Sequence, residues 1–463
     1  MRYALRLTSH QHAQLLAHLF PGDGLEAAAL VLCGRRDGEE RVVFCAHQIT
    51  LIPHDACIRT EVSVDWPTRF ADPLIMAAMQ RGMAIMKIHS HPGGLDSFSA
   101  RDDQSDGSFF RSVDDLLEDD RPHLSAVMLP GADGRIFART ILPDCKKMPV
   151  ELVSIVGDDL CFWYAEGNGY GLPEFVQRHA QAFGEGTVEI LRRMKIAIVG
   201  CSGTGSPLIE QLVRLGVGWV VLIDPDRVEW RNLNRIYMAT AADANIGRFK
   251  VEVLADAIGK IGLGTRVAAM AIDIDTSQAV KAIAECDVVV GCMDTWYGRD
   301  LLNRVAAFYS LPYFDLGVQL NSLPHGGIDT IWGAVHYLQP GRSSLKSRGV
   351  YTSEDVQAEL LRRDDPTEYR RRRREKYIRL VQEDRPAVIS VNTLVAAMAV
   401  NELLARIHRY RIPSNEEFAS QRIGLHEGLT FKETESKMQT CIVLSKELGR
   451  GDVAPLLDKP ELS

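Results

Sequence analysis

The 463-residue chain has no apolar run long enough to cross a bilayer, and its first residues, MRYALRLTSH, hold no apolar h-region or cleavage site, so residence in the cytoplasm is expected. Its nine cysteines, at 33, 45, 57, 145, 161, 201, 286, 292 and 441, follow no regular framework, which excludes a disulfide-built scaffold and makes reduced thiols the expectation. Positive charge is not in excess. The formal net charge of −8 argues against a general nucleic-acid binder. There is no internal repeat. What remains is an ordinary globular composition, 46% hydrophobic and 25% charged, with length enough for two or three domains.

Residues 1–145 read as an α+β domain. An amphipathic helix over Thr8–Phe20 leads through Pro21-Gly22-Asp23-Gly24 into a strand at Leu25–Cys33, strands and turns alternate to Thr60, and a helix near Asp72–Arg81 precedes a strand at Met83–His91. Side chains alternate along a strand, so Lys87, His89 and His91 share one face. His89-Ser90-His91-Pro92 is followed by Ser99 and Asp102. Two imidazoles and a carboxylate with a fourth position open match a catalytic zinc rather than a closed structural one. A bare His-x-His could equally be a strand end with exposed histidines; Pro92, Ser99 and Asp102 at these spacings favour the metal.

This spacing resembles the JAMM (MPN-plus) metalloprotease family, whose members remove ubiquitin or its relatives from lysines or trim their C-terminal tails. The resemblance implies Zn2+ on His89, His91 and Asp102, with Ser99 donating a hydrogen bond to the oxyanion. It also implies that Glu26, in Glu26-Ala27-Ala28-Ala29-Leu30-Val31-Leu32-Cys33-Gly34, is the general acid/base. By residue type alone Glu26 is a solvated strand-start side chain. Asp96 and Asp103 are expected in solvent or in supporting roles.

Residues 146–175 read as a linker with a strand or two, residues 176–425 as the second domain, and 426–463 as a strand with a polar tail. The second domain opens as strand, glycine turn, helix and strand. Lys195–Val199 is a short apolar strand, Gly200-Cys201-Ser202-Gly203-Thr204-Gly205 a turn that lets backbone N–H groups approach a phosphate, and Trp219–Ile223 a second strand. Asp224 stands nineteen residues after Gly205, the usual offset for a ribose hydroxyl. Such a turn also fits other nucleotide folds. Asp224-Pro225-Asp226-Arg227-Val228-Glu229 and Asn232-Leu233-Asn234-Arg235 narrow the choice, because they resemble the ATP-binding signature of the ThiF/MoeB and ubiquitin-activating enzyme family.

That resemblance implies ATP held by Gly200, Gly203, Gly205, Asp224, Asn232, Arg235 and Lys250, and Mg2+ on Asp294, which opens a D-x(4)-R-x(3)-N series with Arg299 and Asn303. Arg178, before Phe183-Gly184, matches an arginine that reaches the phosphates, often from the second subunit of a homodimer. The implied chemistry is attack of a peptide C-terminal carboxylate on the α-phosphorus, with Arg178, Arg235 and Lys250 spreading the charge. The chain departs from the pattern after Pro340-Gly341. Many relatives carry a Cys-x-x-Cys there and a second pair near the C-terminus, together binding zinc; this chain reads Arg342-Ser343-Ser344-Leu345-Lys346-Ser347 and later a lone Cys441. Hydroxyls are poor zinc ligands, so no structural zinc is expected. The crossover also lacks a cysteine, which puts a thioester step in doubt; Cys441 is a weak candidate, and Cys201 and Cys292 read as small packing residues. The run Tyr369–Lys376, YRRRRREK, reads as a solvated helix or loop, or else as a docking surface for an acidic partner.

The expected architecture is therefore α/β, an α+β JAMM-like domain followed by a Rossmann-like, mostly parallel adenylation domain. The expected function is bifunctional: zinc-dependent cleavage of a ubiquitin-like (β-grasp) protein, and ATP-dependent adenylation of its C-terminal glycine. It looks like the fused proteins of bacterial ubiquitin-like conjugation systems, some of which act in defence against phage. Sulfur-carrier processing for cofactor or cysteine synthesis, and a binding scaffold with one degenerate module, are the alternatives. A conjugating-enzyme-like or sulfur-donor protein is a possible further partner; no membrane or nucleic acid is expected.

Overall fold

Thr8 ends the first strand and starts the first helix: its side chain accepts the Gln11 N–H, and the Gln11 side chain accepts the Thr8 N–H. Thus β1 (Arg2–Thr8) passes straight into α1 (Ser9–Leu19). The computed structural model describes residues 1–117, 120–165, 171–323, 325–374 and 387–462. They form two compact units: Met1–Gly169 with Ala307–Ser310 and Glu447–Ser463, and Tyr170–Ala306 with Leu311–Lys446.

In the first unit follow β2 (Ala28–Asp37), β3 (Arg41–Leu51), β4 (Ile58–Thr60), β5 (Ser63–Asp65), α2 (Asp72–Arg81), β6 (Ala84–Ser90) and α3 (Ala100–Leu117). Then come β7 (His123–Met128), β8 (Ile136–Ile141), β9 (Lys147–Pro149), β10 (Leu152–Val156) and β11 (Leu160–Tyr164). Nine strands make a mixed sheet in the order β11-β10-β1-β3-β2-β6-β7-β8-β9, and β4 pairs with β5 separately. Leu15 and Leu19 of α1 pack into one core cluster with the sheet, while Leu74, Ile75 and Ala78 of α2 and Val113 of α3 pack into another.

Two expectations are corrected here. Residues 146–175 were expected as a linker with a strand or two; the strands are there, but β10 pairs in parallel with β1 and β11 closes that edge, so they belong to the first sheet. All five residues of β10 are buried, and an apolar pentapeptide gains more from an open sheet edge than from solvent. The segment 447–462, expected as a polar tail, also belongs to the first unit: the Gly34 N–H donates to Gly449 O, and Tyr309 Oη donates to Asp452 Oδ1 at 2.6 Å.

The second unit begins with α4 (Gln177–Arg193), broken at Gly184, and continues with β12 (Lys195–Val199), α5 (Gly205–Arg214), β13 (Trp219–Ile223), α6 (Ala241–Ile246) and α7 (Lys250–Ile261). Next are β14 (Arg266–Met270), α8 (Ser277–Ala284), β15 (Val288–Gly291), α9 (Trp296–Phe308), β16 (Tyr313–Ser322) and β17 (Ile328–Leu338). Helices α10 (Ser353–Asp364), α11 (Pro366–Arg374) and α12 (Ile389–His408), strands β18 (Ser420–Gly424) and β19 (Leu429–Glu433), and α13 (Ile442–Lys446) complete it. The sheet order is β14-β13-β12-β15-β16-β17-β18-β19, parallel through β16 and antiparallel beyond. This is the expected Rossmann-like, mostly parallel fold, with an antiparallel extension at one edge.

Of the arginine run, Tyr369–Arg374 lies in α11, where Glu368 pairs with Arg371 and Arg372; Glu375 and Lys376 lie outside the described residues. None of the nine cysteines is in a disulfide. Among the described residues no helix is long and apolar enough to cross a membrane.

Candidate active sites

In the first unit, the antiparallel register of β2 with β6 sets Ala28 opposite His89. Continued by two residues beyond the strand, it brings Glu26 level with His91; the Ser90 N–H donates to Ala27 O, which holds that continuation. Glu26 is further fixed through its backbone, its N–H donating to Thr60 O and its carbonyl accepting from Arg59 Nε at 2.7 Å. Its side chain is buried, 5% exposed, and not solvated as its position alone suggests; burial pushes the carboxyl up to about 7.

His89 Nε2 and His91 Nε2 are 3.1 Å apart, and they lie 3.0 and 3.4 Å from the two carboxylate oxygens of Asp102. These three residues are the group of metal-ligating side chains found together among the described residues. Two Nε2 atoms aimed at one point suit a cation better than each other. Burial lowers the His89 imidazole, favouring the neutral ring that a metal requires. Burial would raise the Asp102 carboxyl, but hydrogen bonds from His89 and His91 outweigh it and hold the carboxyl well below the usual range. His91 Nδ1 is 2.7 Å from Leu95 O, a contact that orients the ring. The residues fit zinc.

Ser99 plays a part that the spacing did not show. Its N–H donates to Asp102 Oδ2 at 2.6 Å and its Oγ accepts the Asp102 N–H at 3.2 Å, so it caps α3 and fixes the carboxylate; its hydroxyl proton stays available. Sequence reasoning passed over Asp106 one turn on. It is fully buried and pairs with Lys87 and, at 2.7 Å, with Arg139, whose guanidinium also meets Asp103. Asp103 is thus a supporting residue, and Asp96 is exposed.

In the second unit, one cavity of about 920 Å³ is lined by Gly200, Gly203, Asp224, Asn232, Arg235, Lys250 and Asp294. The glycine turn, Asp224 and Asp294 follow β12, β13 and β15, at the carboxyl ends of parallel strands where such sheets take ligands. Gly205 does not line the cavity, but it makes the turn possible: a Cβ there would lie 1.9 Å from Gly200 O. At Gly203 one would meet Asn392 Nδ2 of α12 at 2.3 Å. Asp224 is buried and accepts the Cys201 and Asp226 N–H groups at 2.7 and 2.9 Å, yet burial still raises its carboxyl. Lys250, also buried, lies 2.6 Å from Asp226 and 3.7 Å from Asp224. Asn232 Oδ1 accepts the Glu229 N–H at 3.1 Å, and Arg235 is half-buried.

Arg178 is not brought to this cavity; it is exposed in the first turn of α4. Arg299 and Asn303 also lie outside it. Arg299 makes a buried bidentate pair with Asp315, and Asn303 bonds Tyr351 Oη and the Leu345 N–H. Cys292 lines the cavity, with burial pushing its thiol up to about 12, while Cys201 and Cys441 do not line it. After Pro340-Gly341, Arg348 and Glu435 form a buried ion pair at 2.7 Å, with Ser343 accepting from Arg348 Nε.

Residues 176–442 match the ThiF family and residues 8–136 match the prokaryotic homologs of the JAB domain. The first match spans more than half of the chain, and the chain belongs to the ThiF family, fused to an N-terminal JAB-like domain. Ubiquitin-like modifier-activating enzyme 5 of Culex quinquefasciatus is 25% identical over 190 residues, covering 38% of this chain and 45% of its own. The SAMP-activating enzyme E1 of Haloferax volcanii is 32% identical over 146 residues, covering 32% and 50%. The chain thus spans about half the length of the curated relatives it matches. Among solved structures, E. coli MccB with ATP is similar at 19% identity and a TM-score of 0.44, over 58% of this chain and 74% of that one.

Proposed function

We propose that the ThiF-family unit adenylates the C-terminal glycine of a ubiquitin-like protein with ATP, and that the JAB-like unit cleaves the tail or isopeptide bond of such a protein. The observation that carries the first part is the meeting of Gly200, Asp224, Asn232, Arg235, Lys250 and Asp294 in one cavity at the carboxyl ends of parallel strands. The glycine turn cradles the phosphates, Asp224 takes the ribose hydroxyls, and Arg235 and Lys250 carry the charge that builds as the carboxylate oxygen attacks the α-phosphorus and pyrophosphate leaves. Asp294 would hold Mg2+, which keeps most of its shell from water and phosphates and so needs few protein ligands. Arg178, exposed here, would serve only across a homodimer.

In the JAB-like unit, His89, His91 and Asp102 would hold zinc, which supplies Lewis acidity toward water and the scissile carbonyl. Glu26, with its raised carboxyl pKa, takes a proton from the attacking water and returns it to the leaving amine. Ser99 donates its hydroxyl proton to the oxyanion.

The cysteine-free stretch between Cys292 and Cys441 favours direct transfer from the adenylate to a partner, and it also suits a second reading, thiocarboxylation of a sulfur carrier. Pyrophosphate exchange driven by a glycine-ended β-grasp protein tests the adenylation, and the mass of that protein's modified C-terminus separates the two readings. No exchange with any such protein overturns both.

A further inference from the structure

The groups proposed above for the nucleotide come from the parallel strands and the loops leaving them, yet part of the cavity wall comes from later in the chain. Glu359, Leu360, Arg362 and Arg363 of α10 line it, together with Asp273 and Ile274 beyond β14. Helix α10 is clasped there. Glu359 Oε2 accepts the Tyr297 N–H at 2.9 Å, and Arg363 reaches Asp275 Oδ2 at 2.7 Å with its guanidinium 5.2 Å from the Tyr297 ring centre. Tyr297 lies in the first turn of α9, which follows β15, and Asp275 in the connection after β14, so α10 is tied to the segments that follow two parallel strands.

In a sheet of this kind the phosphates take the glycine turn after β12 and the ribose takes Asp224 after β13. The base must then lie toward the loop after β14, where the buried Ile274 and the half-buried Leu360 line the cavity. We infer that α10 is a wall of the nucleotide-base subsite, with Leu360 as a specificity-determining contact to the base; this rests on the adenylation reading. The inference also gives Asn303 a function. Asn303 Nδ2 donates to Tyr351 Oη at 2.8 Å and its Oδ1 accepts the Leu345 N–H at 3.3 Å, while Tyr351 Oη donates to Asp300 at 3.0 Å. Thr352 then caps α10 by accepting the Asp355 N–H. Asn303 is a positioning residue that sets the segment leading into α10.

Calorimetric binding of ATP and of inorganic tripolyphosphate to the full chain tests this. In Leu360→Ala the Kd for ATP should rise about tenfold, since a lost leucine contact costs more than a methylene, while tripolyphosphate, which has no base, binds as before. Glu359→Ala, which removes the acceptor of the Tyr297 N–H, should weaken ATP binding several-fold. Unchanged ATP affinity in Leu360→Ala, or equal loss of both ligands, overturns the inference. A wild-type chain that binds no ATP removes the adenylation reading itself.

Discussion

Glu26 shows how much a single side chain can change between sequence and fold. Its carboxyl is raised from an ordinary 4.5 to about 7 because it is buried, so the folded chain keeps a proton that the unfolded chain has released. Stability from this group is therefore full below about 4.5 and lost as the pH rises through about 7. In zinc-free protein the unfolding free energy of wild type relative to Glu26→Gln should fall across that window; a flat difference would argue against a protonated carboxyl. With zinc restored, the same variant should retain the metal by elemental analysis and lose cleavage by about 10²–10⁴-fold. His89, His91 and Asp102 were legible as a candidate ligand set because their spacing is local, and the fold does bring them together. Asp106 was not, because nothing in its neighbours tells a buried acid from a solvated one until Arg139 arrives from a distant strand.

Elements carry the next level of explanation. The D-x(4)-R-x(3)-N series reads as one motif, but α9 distributes it: Asp294, just before the helix, faces the cavity while Arg299 is buried against Asp315 of β16. Removing one partner leaves an uncompensated buried charge, so Arg299→Ala should cost about 3–5 kcal/mol, seen as a lowered denaturation midpoint. In the segment after Gly341, Arg348 pairs with Glu435 and Ser343 Oγ donates to Met438 Sδ, which join it to the chain near Met438. Glu435→Ala should lower the thermal midpoint of the full chain by the loss of about 3 kcal/mol, and EDTA should not reproduce that effect. Neither pair could be matched in advance, since each joins different elements, sixteen residues apart in one case and 87 in the other.

At the scale of the whole molecule, two chemistries are proposed on one polypeptide, and they should separate cleanly by mutation. Asp294→Ala should abolish pyrophosphate exchange and leave cleavage intact, and Glu26→Gln should do the reverse; loss of both activities in either variant would mean that the two sites are not independent. By itself the sequence determined the two families, the glycine turn, the strand-helix order around it and the local ligand spacings, because turn chemistry and period-2 alternation act over a few residues. Only the tertiary structure decided that residues 152–164 complete the first sheet, that 447–462 return to the first unit, that Arg178 lies outside the cavity and that α10 lines it. Those outcomes depend on which apolar surfaces find each other across hundreds of residues, and no local pattern encodes the partner.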